Sequence, residues 1–313
     1  MKSNLIASVI VTYNPNDSVH EVLFSAATQS DLVIVIDNGS EQHVRNLIFE
    51  VIGDVRRKLS VANNEKFIVI FNQTNLGIAE GLNQGAAIAL RSGMDFVLFL
   101  DQDSRIAEEC VRNLHQAYLA LEIKMPLGAL FAKNVDQSPR VLESLQMVYY
   151  NRMGAFHTEK LQEVFLAQTS GTFIRLRILV ELGFLRSDYF IDEVDHEFCF
   201  RLRKKGYKLV VVNDAIIFHT LGQVITIHIG MLRISYTSHM PIRYYYKIRN
   251  IFMVTEQYAP YYFTDSILSF MTVILKLCIE TLFSKNRLLT MRYSFHGLED
   301  FLRQRTGKID IIF

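Results

Sequence analysis

Four segments of the chain, ASVIVTY at 7–13, DLVIVID at 31–37, KFIVIFN at 66–72 and DFVLFLD at 95–101, are apolar and rich in β-branched residues through their middles and polar only at their ends. Continuous apolar runs of this length, without the one-in-two alternation of a half-exposed strand, predict strands buried on both faces. A fifth run, GALFA at 128–132, has the same character. Between them, residues 18–29, 41–59 and 77–92 place apolar residues at helical spacing, the last ending at Gly93 as a helix cap. Strand and helix in alternation predict an α/β architecture with a mainly parallel sheet flanked by helices.

The second half reads differently. After an irregular stretch to about residue 160, AQTSGTFIRLRILVELGFL bends at Ser170-Gly171 before a strand and a helix. FIDEVDHEFCFRLRKKGYKL then predicts a helix with acidic residues at its start and basic residues at its end, an arrangement that suits the helix dipole, closed by Gly206. KLVVVNDAIIFHT predicts two more short strands ending on His219.

Length and composition narrow the classes. A chain of 313 residues that is 50% hydrophobic has material for a large core, and no low-complexity tract or internal repeat interrupts it. A formal charge of +1 gives no general attraction to nucleic acid, so none is expected as a partner. Cys110, Cys199 and Cys278 are too widely spaced for a zinc motif and odd in number, which argues against a disulfide framework and for a reducing cytoplasm. The N-terminal MKSNLIASVIVTYNPN is broken by Thr, Tyr, Asn and Pro and predicts a first strand rather than a signal peptide.

Candidate chemistry lies where the strands end. Ligands of parallel sheets bind beyond the carboxyl ends of the strands, and those ends carry Thr12-Tyr13-Asn14-Pro15, Asp37-Asn38-Gly39-Ser40, Asn72 and Asp101-Gln102-Asp103. Any one such loop is explained by strand termination alone; four on one edge point to a site. Asp101 and Asp103 flank one residue, and two carboxylates held together repel unless a cation or a proton intervenes. Mg²⁺ takes one or two protein carboxylates and fills its remaining positions with phosphate oxygens and water, so the pair suggests a metal–diphosphate site. No Gly-x-Gly-x-x-Gly follows the first strand and no phosphate loop is present, which removes the dehydrogenase and P-loop readings. Gly77, Gly81 and Gly85 recur every fourth residue, and for the latter two close helix packing is expected rather than phosphate cradling.

SVIVTYN, VIDNGS, NLGIAEGLNQG, FLDQDS, SGTFIR and IDEVDHEFCFRLRKKGYKL, in that order, resemble the inverting family-2 nucleotide-sugar glycosyltransferases of the GT-A fold. With RYYYKIRN, the chain is similar, more narrowly, to bacterial rhamnosyltransferases that use dTDP-L-rhamnose, over roughly residues 5 to 252. The resemblance implies that Thr12, Tyr13, Asn14 and Asp37 hold the pyrimidine and ribose, that Asn75 and Gly77 line the same pocket, and that Asp101 and Asp103 contact ribose and an Mg²⁺ or Mn²⁺ ion, with Asp103 the more direct ligand. It implies further that His219 completes the metal site and that Ser170 and Gly171 meet the acceptor. The family's base stands six residues before an Arg; counting back from Arg201 selects Asp195, with Glu197 at the second acidic position. Val194 replaces the first acid of that pattern, so Asp192 and Glu193 remain alternatives. Glu197 and Arg201, four apart on a helix, are expected to pair.

The resemblance thus implies a GT-A catalytic domain over 1–240, with its nucleotide-sugar half at about 1–130 and its acceptor half at about 131–240, and a helical extension over 241–313. The extension is aromatic and basic. Residues 267–283 are strongly apolar but interrupted by Lys276 and Glu280, and Lys285, Arg287 and Arg292 follow. That pattern predicts a helix lying at a membrane surface rather than crossing it; burial in the fold or in a homo-oligomer interface is the competing seat. Arg243, Lys247 or Arg249 could meet a phosphate. The expected enzyme transfers L-rhamnose from dTDP-L-rhamnose to a polyprenyl-diphosphate-linked saccharide, peripheral at the cytoplasmic face of the bacterial inner membrane. A UDP-hexose donor, or a non-catalytic nucleotide- or glycan-binding relative, stands as the alternative.

Overall fold

The computed structural model describes residues 4–59, 66–136, 153–219, 224–229, 232–237, 239–284 and 286–310. Lys285 and part of the expected irregular stretch, 137–152, lie outside the described residues. The first half alternates as the pattern requires: β1 (Ile6–Thr12), α1 (Val19–Gln29), β2 (Leu32–Asp37), α2 (Gln42–Lys58), β3 (Phe67–Phe71), α3 (Ile78–Arg91) and β4 (Phe96–Asp101). There follow β5 (Ser104–Ile106), α4 (Cys110–Glu122), β6 (Leu127–Asp136), β7 (Met153–His157), β8 (Leu161–Val164), β9 (Thr172–Arg175) and α5 (Leu176–Glu181). The chain then forms α6 (Val194–Lys204), β10 (Lys208–His219), the hairpin β11 (Val224–Ile229) and β12 (Leu232–Thr237), and three helices, α7 (Ile242–Tyr258), α8 (Phe263–Phe283) and α9 (Arg287–Leu302).

The main sheet runs β3-β2-β1-β4-β9-β6-β10-β8-β7, with β5 beside β10. Strands β1 to β4 are parallel, as are β6 and β10, while β9 runs against both β4 and β6. The centre of the sheet is buried on both sides because β1, β2 and β4 are apolar on both faces, whereas β3, expected to be buried as well, lies at the sheet edge with Ile70 exposed. In β1, Ala7, Val9 and Val11 enter one core cluster and Ile6 and Ile10 the other. Register then aligns the polar ends, setting Thr12 opposite Asp37 and Val11 opposite Asp101.

The glycine face of α3 serves packing, as expected. A Cβ on Gly85 would stand 2.2 Å from Val9 Cγ1 and one on Gly81 2.9 Å from Val11 Cγ1, so the helix lies closer to β1 than any side chain permits. The two short strands expected over KLVVVNDAIIFHT are instead one strand, β10, with a shift of register between Val212 and Ile216. The extra residues form a bulge, and a bulge bends a strand without ending it. Beyond it β10 turns to pair β5, setting His219 opposite Ser104.

The C-terminal helices close over this frame. Val254 and Tyr258 of α7 belong to the same core cluster as Val9 and Val11. Helix α8 packs in reverse of the usual sense: its inward residues include Asp265, Ser266, Ser269 and Glu280, all buried, whereas Leu268, Met271, Leu275 and Leu282 are exposed. Lys247 lies 3.5 Å from the buried Glu280 carboxylate, and Leu277 is buried on the same helix. By length and composition α8 is apolar enough to cross a membrane.

Candidate active site

The loops at the carboxyl edge are knitted together by side chains that cap one another's backbones. Tyr13 N donates to Gln102 Oε1 at 2.8 Å, Asn14 N to Ser40 Oγ at 2.7 Å, and Glu41 N to Asn14 Oδ1 at 3.0 Å. Asn38 reaches Asn75 Oδ1 at 3.1 Å and Gly77 O at 2.9 Å through Nδ2, and its Oδ1 accepts Leu76 N at 3.0 Å. Asn14 adopts a left-handed backbone, φ 45°, a conformation that Asn tolerates better than most residues. Of the residues expected at the base and ribose, Tyr13 is exposed and Asn75 half-buried. Thr12 and Asp37 are closed off: Thr12 Oγ1 donates to Asp37 at 3.2 Å, and Ser40 donates to the same carboxylate through both its amide and its hydroxyl. A direct contact of Asp37 with a base therefore requires Ser40 to give way.

Asp101, Asp103 and His219 converge as expected, with one donor atom from each lying within 4.8 Å of the others. His219 Nδ1 is 3.3 Å from Asp103 Oδ1 and 2.9 Å from Ser104 Oγ. Burial, and then the Asp103 carboxylate, push the Asp101 carboxyl up to about 6. Two carboxylates and an imidazole so placed suit a divalent cation, whose charge would offset both the burial and the repulsion that raise Asp101. Ser170 and Gly171 lie beneath this cluster and not on an open acceptor surface. Ser170 Oγ accepts the Asp101 amide at 3.0 Å and donates to Ser104 Oγ at 2.8 Å, so its hydroxyl already serves the metal-type cluster. Gly171, at φ +86°, is packed against Ile217 and Ala132.

A second acidic group lies nearby, close enough that Asp195 adds to the shift of Asp101. Asp192 and Glu193 have successive left-handed conformations, both at φ 62°, an uncommon backbone for acidic residues and of the kind that collects at functional sites. Asp192 is taken by Arg243, whose Nε and Nη2 donate to its two oxygens. Burial opposes the ionisation of Asp192, but Arg243 and Lys247 outweigh it and hold the carboxyl below the usual range. Glu193 binds His196 Nδ1 at 2.6 Å. Burial alone would discharge His196; Glu193 and Asp195 overcome it and raise the imidazole to about 9. Asp195 accepts the His196 amide at 3.0 Å, and burial, with Glu193 and Asp192 adding to it, pushes its carboxyl up. Asp195 thus has the chemistry of a base, while Asp192 and Glu193 each already hold a cation.

The expected Glu197–Arg201 pair is present, and the expected phosphate contact of Arg249 is corrected. Glu197 does pair with Arg201, at 2.9 Å, but it is fully buried and also accepts Tyr258 OH at 2.7 Å, so it fixes α6 to α7 and meets no substrate. Arg249, expected to bind substrate, is fully buried too; its guanidinium donates to Tyr189 O at 3.0 Å, Gly307 O at 2.7 Å and Asn250 Oδ1 at 2.9 Å. No phosphate can reach it while those bonds stand. Asn38 and Gln102 stand in the polar strand ends singled out in the sequence, without a role assigned to them there. Ser104 and Asn250 were missed: Ser104 follows the Asp101-Gln102-Asp103 strand end and could have been found there, whereas Asn250 carries no local signal.

Known proteins identify the family and the fold. Residues 8–181 match the family model "Glycosyl transferase family 2", and residues 96–305 match "Glycosyl transferase family group 2". The chain is 27% identical to the dTDP-rhamnosyl transferase RfbF of Shigella flexneri, across 98% of each chain. Its fold is similar to that of S. aureus TarS 1-349 in complex with UDP-GlcNAc, with TM-score 0.55, 18% identity and coverage of 96% of this chain and 81% of that one. It is also similar to that of GalNAc-T7 with UDP, GalNAc and Mn²⁺, with TM-score 0.57, 14% identity and coverage of 82% of this chain and 48% of that one, so that the chain spans about half of GalNAc-T7. With the strand-end loops, the acidic pair and the family match over most of its length, the chain belongs to glycosyl transferase family 2 and is a glycosyltransferase of the GT-A fold.

Proposed function

We propose that this enzyme transfers L-rhamnose from dTDP-L-rhamnose, with inversion, to a hydroxyl of a polyprenyl-diphosphate-linked saccharide. The observation that carries the transfer chemistry is the pair of acidic groups: one fit for a cation, the other in which Arg243 is hydrogen-bonded to Asp192 and His196 Nδ1 to Glu193, while the Asp195 carboxylate accepts the His196 amide. The end-to-end likeness to the Shigella dTDP-rhamnosyl transferase supports the sugar.

In this reading Asp103, Asp101 and His219 hold Mg²⁺ or Mn²⁺, and Thr12, Tyr13, Asn14, Asn75 and Gly77 form the nucleotide seat, with Asp37 anchoring its loop. The cation, when bound, stabilises the charge that develops on the leaving diphosphate. Asp195 accepts the proton of the acceptor hydroxyl as that oxygen bonds to the anomeric carbon and the bond from that carbon to the diphosphate oxygen breaks. Ser170 and Ser104 orient the metal ligands. The raised carboxyl of Asp195 suits a base, since a base with a higher pKa holds the transferred proton better.

Titration of the purified protein with dTDP-rhamnose, dTDP, UDP and UDP-glucose, each with Mn²⁺ and with EDTA, tests the donor. Metal-dependent preference for dTDP-rhamnose is expected. Preference for the UDP compounds would transfer the reading to a UDP-hexose donor, which the similarity in fold to the UDP-GlcNAc complex of TarS favours. No nucleotide binding would leave a non-catalytic relative.

The outward apolar stripe of α8, continued by exposed Leu288, Met291, Phe295 and Leu302 on α9, supports a seat on the cytoplasmic face of the inner membrane, where a lipid-linked acceptor would be met. Sedimentation with anionic vesicles is expected to carry down the wild type and to leave a Leu268→Ser, Met271→Ser, Leu275→Ser variant in the supernatant. Equal sedimentation of both would place the contact elsewhere.

A further inference from the structure

We infer that Asn250, braced by Arg249, is a positioning residue that fixes the acidic loop and thereby aims Asp195. The inference rests on the transferase reading above. Residues 190–193 run outside regular structure between the short turn Ser187–Tyr189 and α6, and a local backbone bond closes on this stretch from Ile191 N to Tyr189 O at 2.8 Å. Asn250 Nδ2 adds donors, its two hydrogens shared among three carbonyls, Tyr189 O at 3.0 Å, Ile191 O at 2.8 Å and Asp192 O at 2.9 Å. Asn250 Oδ1 accepts from Arg249 Nε at 2.9 Å, which sets which end of the amide faces the loop. Arg249 then adds Tyr189 O and ties the loop to the far end of the chain through Gly307 O, while Gly307 N donates to Asp188 O at 2.6 Å and Ile309 N to Tyr246 OH at 3.0 Å.

The loop needs such a clamp. Phe190, Asp192 and Glu193 all have positive φ, at 66°, 62° and 62°, and a residue so placed stays there only when its surroundings over-determine it. Asp192 O, held by Asn250, lies in the peptide immediately before Glu193, which caps α6; Asp195 is in the first turn. Rotation of that peptide would swing the whole turn. The same loop touches the donor side, since Phe190 O accepts Ile78 N at 2.8 Å and a Cβ on Gly77 would stand 2.5 Å from that oxygen. One amide side chain therefore holds the base in register with the nucleotide loop. Both residues are fully buried, and neither can touch substrate.

The test is Asn250→Ala, with Asn250→Gln as the milder change should the first not accumulate as folded protein. Two readouts are taken: transfer kinetics on whichever nucleotide sugar the wild type uses, and hydrogen exchange resolved by segment. The expected result is a kcat reduced about thirtyfold with the donor KM within about twofold of wild type, as for loss of orientation rather than of binding. Faster exchange is expected in 190–197 and not in β1 or α3. A merely structural role would raise exchange throughout the core and lower donor affinity in step with kcat. Unchanged kcat, or unchanged exchange in 190–197, overturns the inference. A wild type that transfers no sugar defeats the transferase reading instead, and the exchange result still decides whether Asn250 holds the loop.

Discussion

The two acidic groups of the site differ in what neutralises them. Asp101 and Asp103 share a cluster with His219, and burial, with the Asp103 carboxylate adding to it, raises the Asp101 carboxyl to about 6. The Asp192–Asp195 group has resident cations: Arg243 on Asp192 and a charged His196 on Glu193. An acidic cluster without enough resident positive charge is ready for a metal ion, whereas one that supplies its own counter-charges can leave a single carboxylate to take a proton. Similar residue types, a few residues apart in each case, are thereby assigned different chemistry by their surroundings.

Substitutions can break that contrast, and the largest effect is expected at the metal-type group. Asp103→Ala should lower transfer by about ten-thousandfold, the several kcal/mol that a metal contributes, and abolish Mn²⁺-dependent nucleotide binding measured by calorimetry; intact metal-dependent binding would remove Asp103 from the ligand set. Asp195→Asn should cost about a thousandfold in kcat with donor affinity kept. Near-normal turnover there would move the base to Asp192 or Glu193. Arg243→Gln converts the second group toward the first, leaving Asp192 without its counter-ion. About 2 kcal/mol of stability should be lost by thermal denaturation, with about a tenfold fall in kcat as the loop loosens.

The smallest effect is on stability against pH. Asp101 has a folded value raised to about 6, so its contribution is full below the ordinary carboxylate value, about 4, and is lost as pH rises through 6. His196, raised to about 9, contributes stability that is present below about 6.5 and lost as pH rises through 9. The metal-free protein should therefore weaken by about 1 kcal/mol between pH 5 and pH 7 from Asp101, and Mn²⁺ should flatten that slope. A melting temperature with the same pH dependence in Mn²⁺ and in EDTA would show that Asp101 does not meet the ion.

Much of this was legible in the chain. Strands β1, β2 and β4 were legible because burial on both faces leaves an unbroken apolar run, and β3 has such a run although it lies at the half-exposed edge; the polar ends marked the site because parallel register lines them up. Helix α4 and the three-residue β5 were missed, the latter too short for any periodicity. The bulge in β10 read as a break between strands, since Asn213 and Asp214 are ordinary turn residues, although the strand continues through it to deliver His219. Arg249 was misread for a different reason. A basic residue among aromatics looks like a ligand for phosphate, and only the tertiary fold reveals that its partners are carbonyls sixty residues away.

The reversed packing of α8 has a practical side. Since Ser266, Ser269 and Glu280 face the interior and Leu268, Met271, Leu275 and Leu282 face outward, the stripe can be rewritten in Gln and Lys without touching a buried contact. Such a surface-engineered protein should keep its catalytic frame while exposing less apolar surface, a form suited to crystallisation with donor and acceptor analogues.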